Sequence, residues 1–362
     1  MTSSNSLTKK KTLPLFPTSI VGSMPRPDFV QDLFLLENRE DRNELDKRDN
    51  LDVAVRYIIA LQEASGIDII SDGEWRRRSY IGVIADIASG FELTIRNGRH
   101  WTTVVDKLEV KQQGVIAEEA KFLAQNTNCD TKVCLPSPYL LGQRMWDQEK
   151  SRNAYPTRES FMYDLVPILR NELRLLKDAG ATIAQFDDPH LCLFVDESIR
   201  ATYQDPEAEM ELCVELLNQI ITDIEGIQIA IHLCRRNKGR DGWVGEGGYE
   251  PLLPYLARLE VDQYVMEFTI PVAGDVSILK AIPEDKMVGL GCVDCRSEHI
   301  DTPDEIVARV ENALRYLAPQ QIVLNPDCGF APGNAADIPL DEAYQKLKSE
   351  ARAAEILRDK YA

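Results

Sequence analysis

The sequence lacks the features that mark several large classes of protein. It has no apolar run approaching the roughly 20 residues that cross a bilayer, so a membrane span is not expected. Its start, Met1 to Thr12, is polar, with Lys9, Lys10 and Lys11 in a row, and has no apolar segment of signal-peptide type. That stretch reads as a loose tail on a cytoplasmic protein. No basic block offsets a net charge of −18. Nucleic acid and acidic membrane surfaces are bound through clusters of lysine and arginine, so neither is expected as a partner. No internal repeat, low-complexity segment or linker is evident, and residues 13–362 are expected to form one domain. The eight cysteines, spread from Cys129 to Cys328 at irregular spacings, are no disulfide framework. A chain of this size folds without disulfides, and the default is reduced thiols, most of them buried as small hydrophobes.

What is present is an alternation. Short apolar, β-rich runs occur at Pro17–Gly22, Ile67–Asp72, Lys132–Ser137, Thr182–Asp187, Gln228–Cys234, Gln263–Phe268, Met287–Val293 and Gln321–Asp327. Between them lie stretches with the 3.6-residue period of amphipathic helices, such as Leu51, Ala54, Val55, Ile58, Ile59 and Leu165, Ile168, Leu169, Leu173, Leu176. Cys213, Leu216, Leu217, Ile220 and Ile306, Val310, Leu314, Leu317 repeat the pattern. Alternating strands and helices pair in parallel through right-handed crossovers. Eight such units predict a closed TIM (β/α)8 barrel, because closure removes both sheet edges. The strand-like stretch Trp101–Lys111 would be a ninth and is read as part of a hairpin or cap inserted after the second strand.

In such barrels the working residues sit at the C-terminal ends of the strands. Those ends read Val21-Gly22-Ser23, Asp72-Gly73-Glu74, Asp187-Asp188-Pro189, His232-Leu233-Cys234, Glu267 and Asn325-Pro326-Asp327-Cys328-Gly329. His232 and Cys234 stand two apart on a strand and so share a face. An imidazole and a thiolate on one face are half of a tetrahedral zinc site. Cys328 and Glu267 arrive from two further strands, so the candidate ligands are His232, Cys234, Glu267 and Cys328. Cys295 is an alternative fourth ligand, although Cys292 of the same Cys-x-x-Cys pair lies inside an apolar strand and reads as packing.

These segments closely resemble the cobalamin-independent methionine synthase family. Ile231-His232-Leu233-Cys234, Met266-Glu267 and Asn325-Pro326-Asp327-Cys328-Gly329 resemble its zinc-ligand segments. Val21-Gly22-Ser23, Gly73-Glu74 and Phe186-Asp187-Asp188-Pro189 resemble its homocysteine-binding segments. The resemblance runs from about residue 13 to the C-terminus and covers the catalytic half of the long form of the enzyme. It implies that Zn2+ is the cofactor, and that Glu74 and Asp187 hold the ammonium group of the substrate. Ser23 and the backbone at Val21 and Gly22 would hold its carboxylate. Two carboxylates suit a cation, and a Gly-Ser turn offers a hydroxyl and N–H groups to an anion. The implied reaction is methyl transfer to the thiol of homocysteine or a similar small thiol, which zinc keeps as a nucleophilic thiolate. Folate, methylcobalamin or another carrier would donate the methyl or alkyl group.

The chain departs from the pattern at Val293-Asp294-Cys295-Arg296-Ser297, where long members of the family carry a catalytic histidine. Arg296 stands at that place and His299 follows three residues on, so Asp294, Arg296 and His299 are candidates for the donor side. The glycine-rich segment Arg235 to Tyr249 resembles short, single-barrel relatives, a group that includes the epoxyalkane:coenzyme M transferases. It reads as a surface loop or as a lid whose Arg235 and Trp243 meet substrate. Thiol addition to an epoxide is therefore the alternative activity, and a barrel zinc hydrolase or decarboxylase-like lyase the alternative of another class. Hydrolytic zinc sites use fewer thiolates, which counts against the latter. Trp75 to Arg78 read as the solvated start of a helix or as an anion contact, His190 as a mouth or structural residue, and Cys129, Cys134, Cys192 and Cys213 as plain thiols.

Overall fold

The alternation is realised as a curled parallel sheet wrapped by helices. The computed structural model describes residues 13–37, 44–96, 99–331 and 338–362, and the tail expected over residues 1–12 lies outside them. Its strands are β1 (Ile69–Ile70), β2 (Phe91–Arg96), β3 (Arg99–Val104), β4 (Asp130–Pro136), β5 (Ile183–Asp187), β6 (Gln228–Leu233), β7 (Gln263–Met266), β8 (Met287–Val293) and β9 (Ile322–Pro326). Seven of them form one sheet in the order β1-β4-β5-β6-β7-β8-β9, every neighbour parallel. Strands β2 and β3 form a separate antiparallel ribbon, from the pair Phe91 and Val104 to the pair Arg96 and Arg99. The stretch expected as strand-like from Trp101 leaves the ribbon at Val104.

The expected first strand, Pro17–Gly22, is almost absent as a strand. Only Thr18 and Ser19 pair, Thr18 bridging to Leu324 of β9 and Ser19 to Ile69 of β1, so that two residues join the two edges of the sheet. Beyond them the backbone turns its carbonyls to side chains. Ile20 O accepts from Lys132 Nζ at 2.8 Å and Val21 O from Gln185 Nε2 at 2.7 Å. A carbonyl already satisfied by a buried side chain has little to offer a ladder. Inside the ring, Val21, Ile69, Ile183, Ala230, Val265 and Val323 form one buried apolar layer, each from a different segment.

The helices begin and end where their sequences direct. Arg158–Ala179 starts with a capping box of Thr157 and Ser160 and stops at Gly180, whose φ of 93° a residue with a Cβ would resist. Its apolar stripe, including Leu165, Leu169, Leu173 and Leu176, is buried. Pro303–Ala313 opens with a second capping box, Thr302 with Glu305, and Pro303 in its first turn. The C-terminal helix Leu340–Tyr361 clamps the closing segment: Arg358 donates to Leu15 O and Phe16 O, and buried Glu350 accepts from Ser19 N at 3.2 Å.

The stretch Trp75 to Arg78, expected as a solvated helix start, is a turn in which Trp75 and Arg77 face inward and Arg78 stays exposed. Trp75 and Arg77 are buried; Trp75 donates its indole N–H to Met24 O at 3.2 Å, and Arg77 pairs with Glu119 at 2.7 Å. That ion pair compensates the burial of both charges. No helix among the described residues is long and apolar enough to cross a membrane.

Candidate metal centre

Strand register brings the expected ligands together. Asp187 at the end of β5 stands beside His232 of β6, and the chain places Cys234, Glu267 and Cys328 just past the ends of β6, β7 and β9. One ligand atom from each of His232, Cys234, Glu267 and Cys328 lies within 4.8 Å of all the others, and all four residues are buried. Cys295 is not among them. Its thiol is buried beside Arg296, accepts from Asn237 Nδ2 at 3.6 Å, and is pushed up to about 12 by burial.

Two atoms of this cluster are buried with no hydrogen-bond partner: His232 Nε2 and Glu267 Oε2. Each belongs to a side chain whose other polar atom is firmly held. His232 Nδ1 lies 3.0 Å from Asp187 Oδ1, which fixes the ring so that Nε2 faces the cluster. Burial disfavours the imidazolium, but the bond to Asp187 and the nearby Cys234 and Glu267 raise the histidine pKa on balance. Glu267 Oε1 accepts from Arg296 Nη2 at 2.9 Å. The thiols of Cys234 and Cys328 are 3.4 Å apart, within hydrogen-bond reach: the bond from Cys328 lowers Cys234, and the same bond and burial raise Cys328 well above the usual thiol range. An unpartnered buried atom such as His232 Nε2 costs about 1–3 kcal/mol, and Glu267 Oε2 has only the Arg235 guanidinium, 3.7 Å away, so a cation among the four residues would stabilise both. Two sulfurs held at about 2.3 Å by one tetrahedral zinc stand roughly 3.8 Å apart, so only a small spread of the thiols would seat it. The donor set of one nitrogen, one oxygen and two sulfurs fits zinc.

Beneath the cluster lies a layer the sequence reading did not anticipate. Arg296, expected as a donor-side residue, is buried, with Nη2 on Glu267 and Nη1 on Asp327 Oδ2 at 3.2 Å. Asp327 also accepts from Phe268 N at 2.9 Å and from the hydroxyl of Thr269. Burial pushes Asp327 up to about 6, against the pull of Arg296. Gly291 makes room for it: a Cβ there would lie 2.3 Å from Asp327 Oδ1. Arg235, expected on a lid, is likewise fully buried. Its guanidinium donates to Tyr249 Oη at 2.7 Å and Gly247 O at 2.8 Å, and so pins the glycine-rich segment to the barrel. Trp243 is half-buried and its indole reaches Glu246 Oε1 at 3.4 Å. His299 is exposed and paired with Glu305 at 3.1 Å, grouped with Asp301 rather than with the metal cluster. Asp294 shapes a turn, accepting from Arg296 N at 2.7 Å.

A second group adjoins the first through Asp187. Glu74, Cys134 and Asp187 present atoms within 4.8 Å of one another. Glu74 follows Gly73 in the left-handed region, at φ of 59°, a conformation that costs a residue with a Cβ roughly 1 kcal/mol or more. It is held there by Asp72 Oδ1, which accepts from Glu74 N at 2.9 Å. Burial pushes the Glu74 carboxyl up to about 7; Arg77 opposes this, and Asp187 and Asp72 add to it. Gly22 leaves room here, since a Cβ would lie 3.0 Å from Glu74 Oε1 and force the carboxyl to shift. Cys134 was read as a plain thiol. Its alternation along β4 puts it on the inner face, where it donates to Val21 O at 3.3 Å. Ser23 is half-buried, and its hydroxyl donates to Ala331 O at 3.0 Å.

Comparison with known proteins places the chain in a family. The family described as "Cobalamin-independent synthase, Catalytic domain" matches residues 16–355. The chain is 31% identical over 357 residues to the methionine synthase of Pyrococcus abyssi, covering 96% of this chain and 94% of that protein. It is 27% identical over 356 residues to the methionine synthase of Sulfurisphaera tokodaii, with the same coverage of 96% and 94%. Among solved structures, a B12-independent methionine synthase from Shewanella sp. W3-18-1 is similar in fold, with a TM-score of 0.76 at 23% identity, covering 96% of this chain and 98% of that one. The chain belongs to the cobalamin-independent methionine synthase family, whose catalytic domain it matches.

Proposed function

We propose that the protein is a zinc-dependent methyltransferase that alkylates the thiol of homocysteine or a closely similar amino-acid thiol. The observation that carries this reading is the buried group of His232, Cys234, Glu267 and Cys328, in which His232 Nε2 and Glu267 Oε2 have no hydrogen-bond partner. Zinc, when bound by these four residues, supplies a Lewis acid that keeps a thiol in its thiolate form at neutral pH, where a free thiol of pKa about 8.5 is only a few per cent ionised. The protein supplies the rest. Asp187 holds the His232 ring, and Arg296 holds Glu267 through Oε1. Two anionic cysteines and a carboxylate make the centre electron-rich, which preserves sulfur nucleophilicity.

Glu74 and Asp187 face one space and form the seat for an ammonium group, which favours the carboxylate form of Glu74 as it binds. The backbone at Val21 and Gly22, with Ser23, takes the substrate carboxylate. Asp187 belongs to the Glu74 group and also holds the His232 ring, so binding of the amino acid and orientation of a metal ligand are joined at one side chain. The donor is a methyl carrier such as a folate or methylcobalamin. Sulfur takes the methyl carbon as the carbon–carrier bond breaks, and the carrier keeps the electron pair. Arg296, engaged with two buried carboxylates, acts as a positioning residue for Glu267 and not as a proton donor.

Metal-edge X-ray absorption on the zinc-loaded protein tests this. Addition of homocysteine is expected to change the coordination from one nitrogen, one oxygen and two sulfurs to one with three sulfurs, while coenzyme M leaves it unchanged. An unchanged edge with every thiol would overturn the proposal, and a response to coenzyme M alone would favour epoxide alkylation.

A further inference from the structure

Four polar side chains at the barrel mouth are used neither by the metal cluster nor by the Glu74 group. Tyr80 follows β1, Arg144 lies in the last turn of the helix Pro138–Met145 after β4, His190 follows β5, and Arg236 comes two residues after Cys234. All four are half-buried. Among the described residues the Arg236 guanidinium and the Tyr80 hydroxyl make no hydrogen bond or ion pair, and the contact of Arg144 is with the face of Trp101, 5.2 Å away. His190 Nε2 is buried without a partner.

Other interior arginines behave differently. Arg77, Arg235 and Arg296 each have a carboxylate, a carbonyl or a tyrosine oxygen within hydrogen-bond reach. Two half-buried guanidinium groups near each other, with no anion between them, repel and are partly desolvated, so the arrangement is unfavourable until an anion arrives. The field is strong enough to be felt by the histidine: burial first, and then Arg236 and Arg144, push His190 down to about 3, so its ring is neutral. Tyr80 lies close enough to Asp187 and Cys234 for their charges to act on its hydroxyl, which puts the group beside the metal cluster. Two guanidinium groups within electrostatic reach of each other, with N–H and O–H donors beside them, match an oxyanion in charge and in donor type.

We infer that Arg144, Arg236, His190 and Tyr80 form an oxyanion subsite that receives a carboxylate, phosphate or sulfonate group carried by the second substrate, the one bearing the electrophilic carbon. The assignment to the second substrate rests on the proposed amino-acid site at Glu74 and Asp187. With the ammonium and carboxylate of the amino acid already provided for there, a further anion at the mouth belongs to the other reactant. The donor is thereby restricted to molecules carrying an acidic group within reach of their reactive carbon.

Sulfate is the probe, titrated calorimetrically into the full chain at constant ionic strength set with chloride, with and without saturating methionine. Wild type is expected to bind sulfate equally well in both conditions. Arg236→Gln and Arg144→Gln are each expected to weaken sulfate at least tenfold while methionine affinity and the thermal midpoint stay as in wild type. Absence of sulfate binding, or unaltered sulfate affinity in both variants, would overturn the subsite. Competition between sulfate and methionine would show that the anion is the amino acid's own and overturn the assignment to the second substrate. Sulfate binding that is lost in the variants, together with no methionine binding at all, would leave the subsite standing and defeat the amino-acid site instead.

Discussion

Glu74 offers a direct measurement of what the binding site costs the fold. Its carboxyl is raised from an ordinary value of 4.5 to about 7, chiefly by burial, and it also sits in a left-handed backbone conformation. A carboxyl raised on folding holds its proton longer in the native state than in the unfolded one. Between pH 4.5 and 7 the native state therefore binds more protons, and stability falls as pH rises through that window. The loss is complete above pH 7 and on the order of 3 kcal/mol, from 1.36 kcal/mol for each pH unit of the difference. The variant Glu74→Gln keeps the shape beside Gly22 and cannot ionise. Its urea midpoints at pH 5 and pH 8 should therefore differ by less than those of wild type, leaving it the more stable protein at pH 8. Other titrating groups, such as Asp188 and Asp327, are common to both proteins and cancel in the comparison. Methionine at pH 8 should recover part of the loss in wild type, because its ammonium compensates the buried carboxylate, and should do little for the variant. Parallel stability-versus-pH curves for the two proteins would refute the reasoning.

Two further outcomes follow from the metal cluster. Cys328→Ala removes one of four ligands and should abolish zinc retention through gel filtration, measured by elemental analysis; a full zinc complement would show that Cys328 is not a ligand. Arg296→Gln releases Glu267 from its ion pair and should lower zinc affinity by roughly 10–100-fold in a chelator competition, as loss of an outer partner usually does. Unchanged zinc affinity would mean that Arg296 stabilises the barrel without orienting the ligand.

Sequence alone determined the α/β alternation, because helix and strand periodicities are local properties of the chain. Met287–Val293 was placed to the residue, and the other sheet strands to within a few residues at each end. It also grouped the candidate ligands, four residues that the fold brings together. In a barrel the strand ends converge, so His232, Cys234, Glu267 and Cys328 could be assembled from topology before any coordinate. Tertiary structure decided the matters that depend on what a side chain meets across the ring. Pro17–Gly22 has the composition of a strand, yet the side chains of Lys132 on β4 and Gln185 on β5 take its carbonyls at Ile20 and Val21, and only Thr18 and Ser19 pair. The same holds for the cations. Arg235 and Arg296 read as residues facing substrate, and folding turned them inward onto Tyr249, Glu267 and Asp327. Arg144 and Arg236, which drew no attention in the chain, were left at the mouth without anions. A charged residue carries no periodic signal of its own, and its role is set by the partner that a distant segment does or does not bring to it.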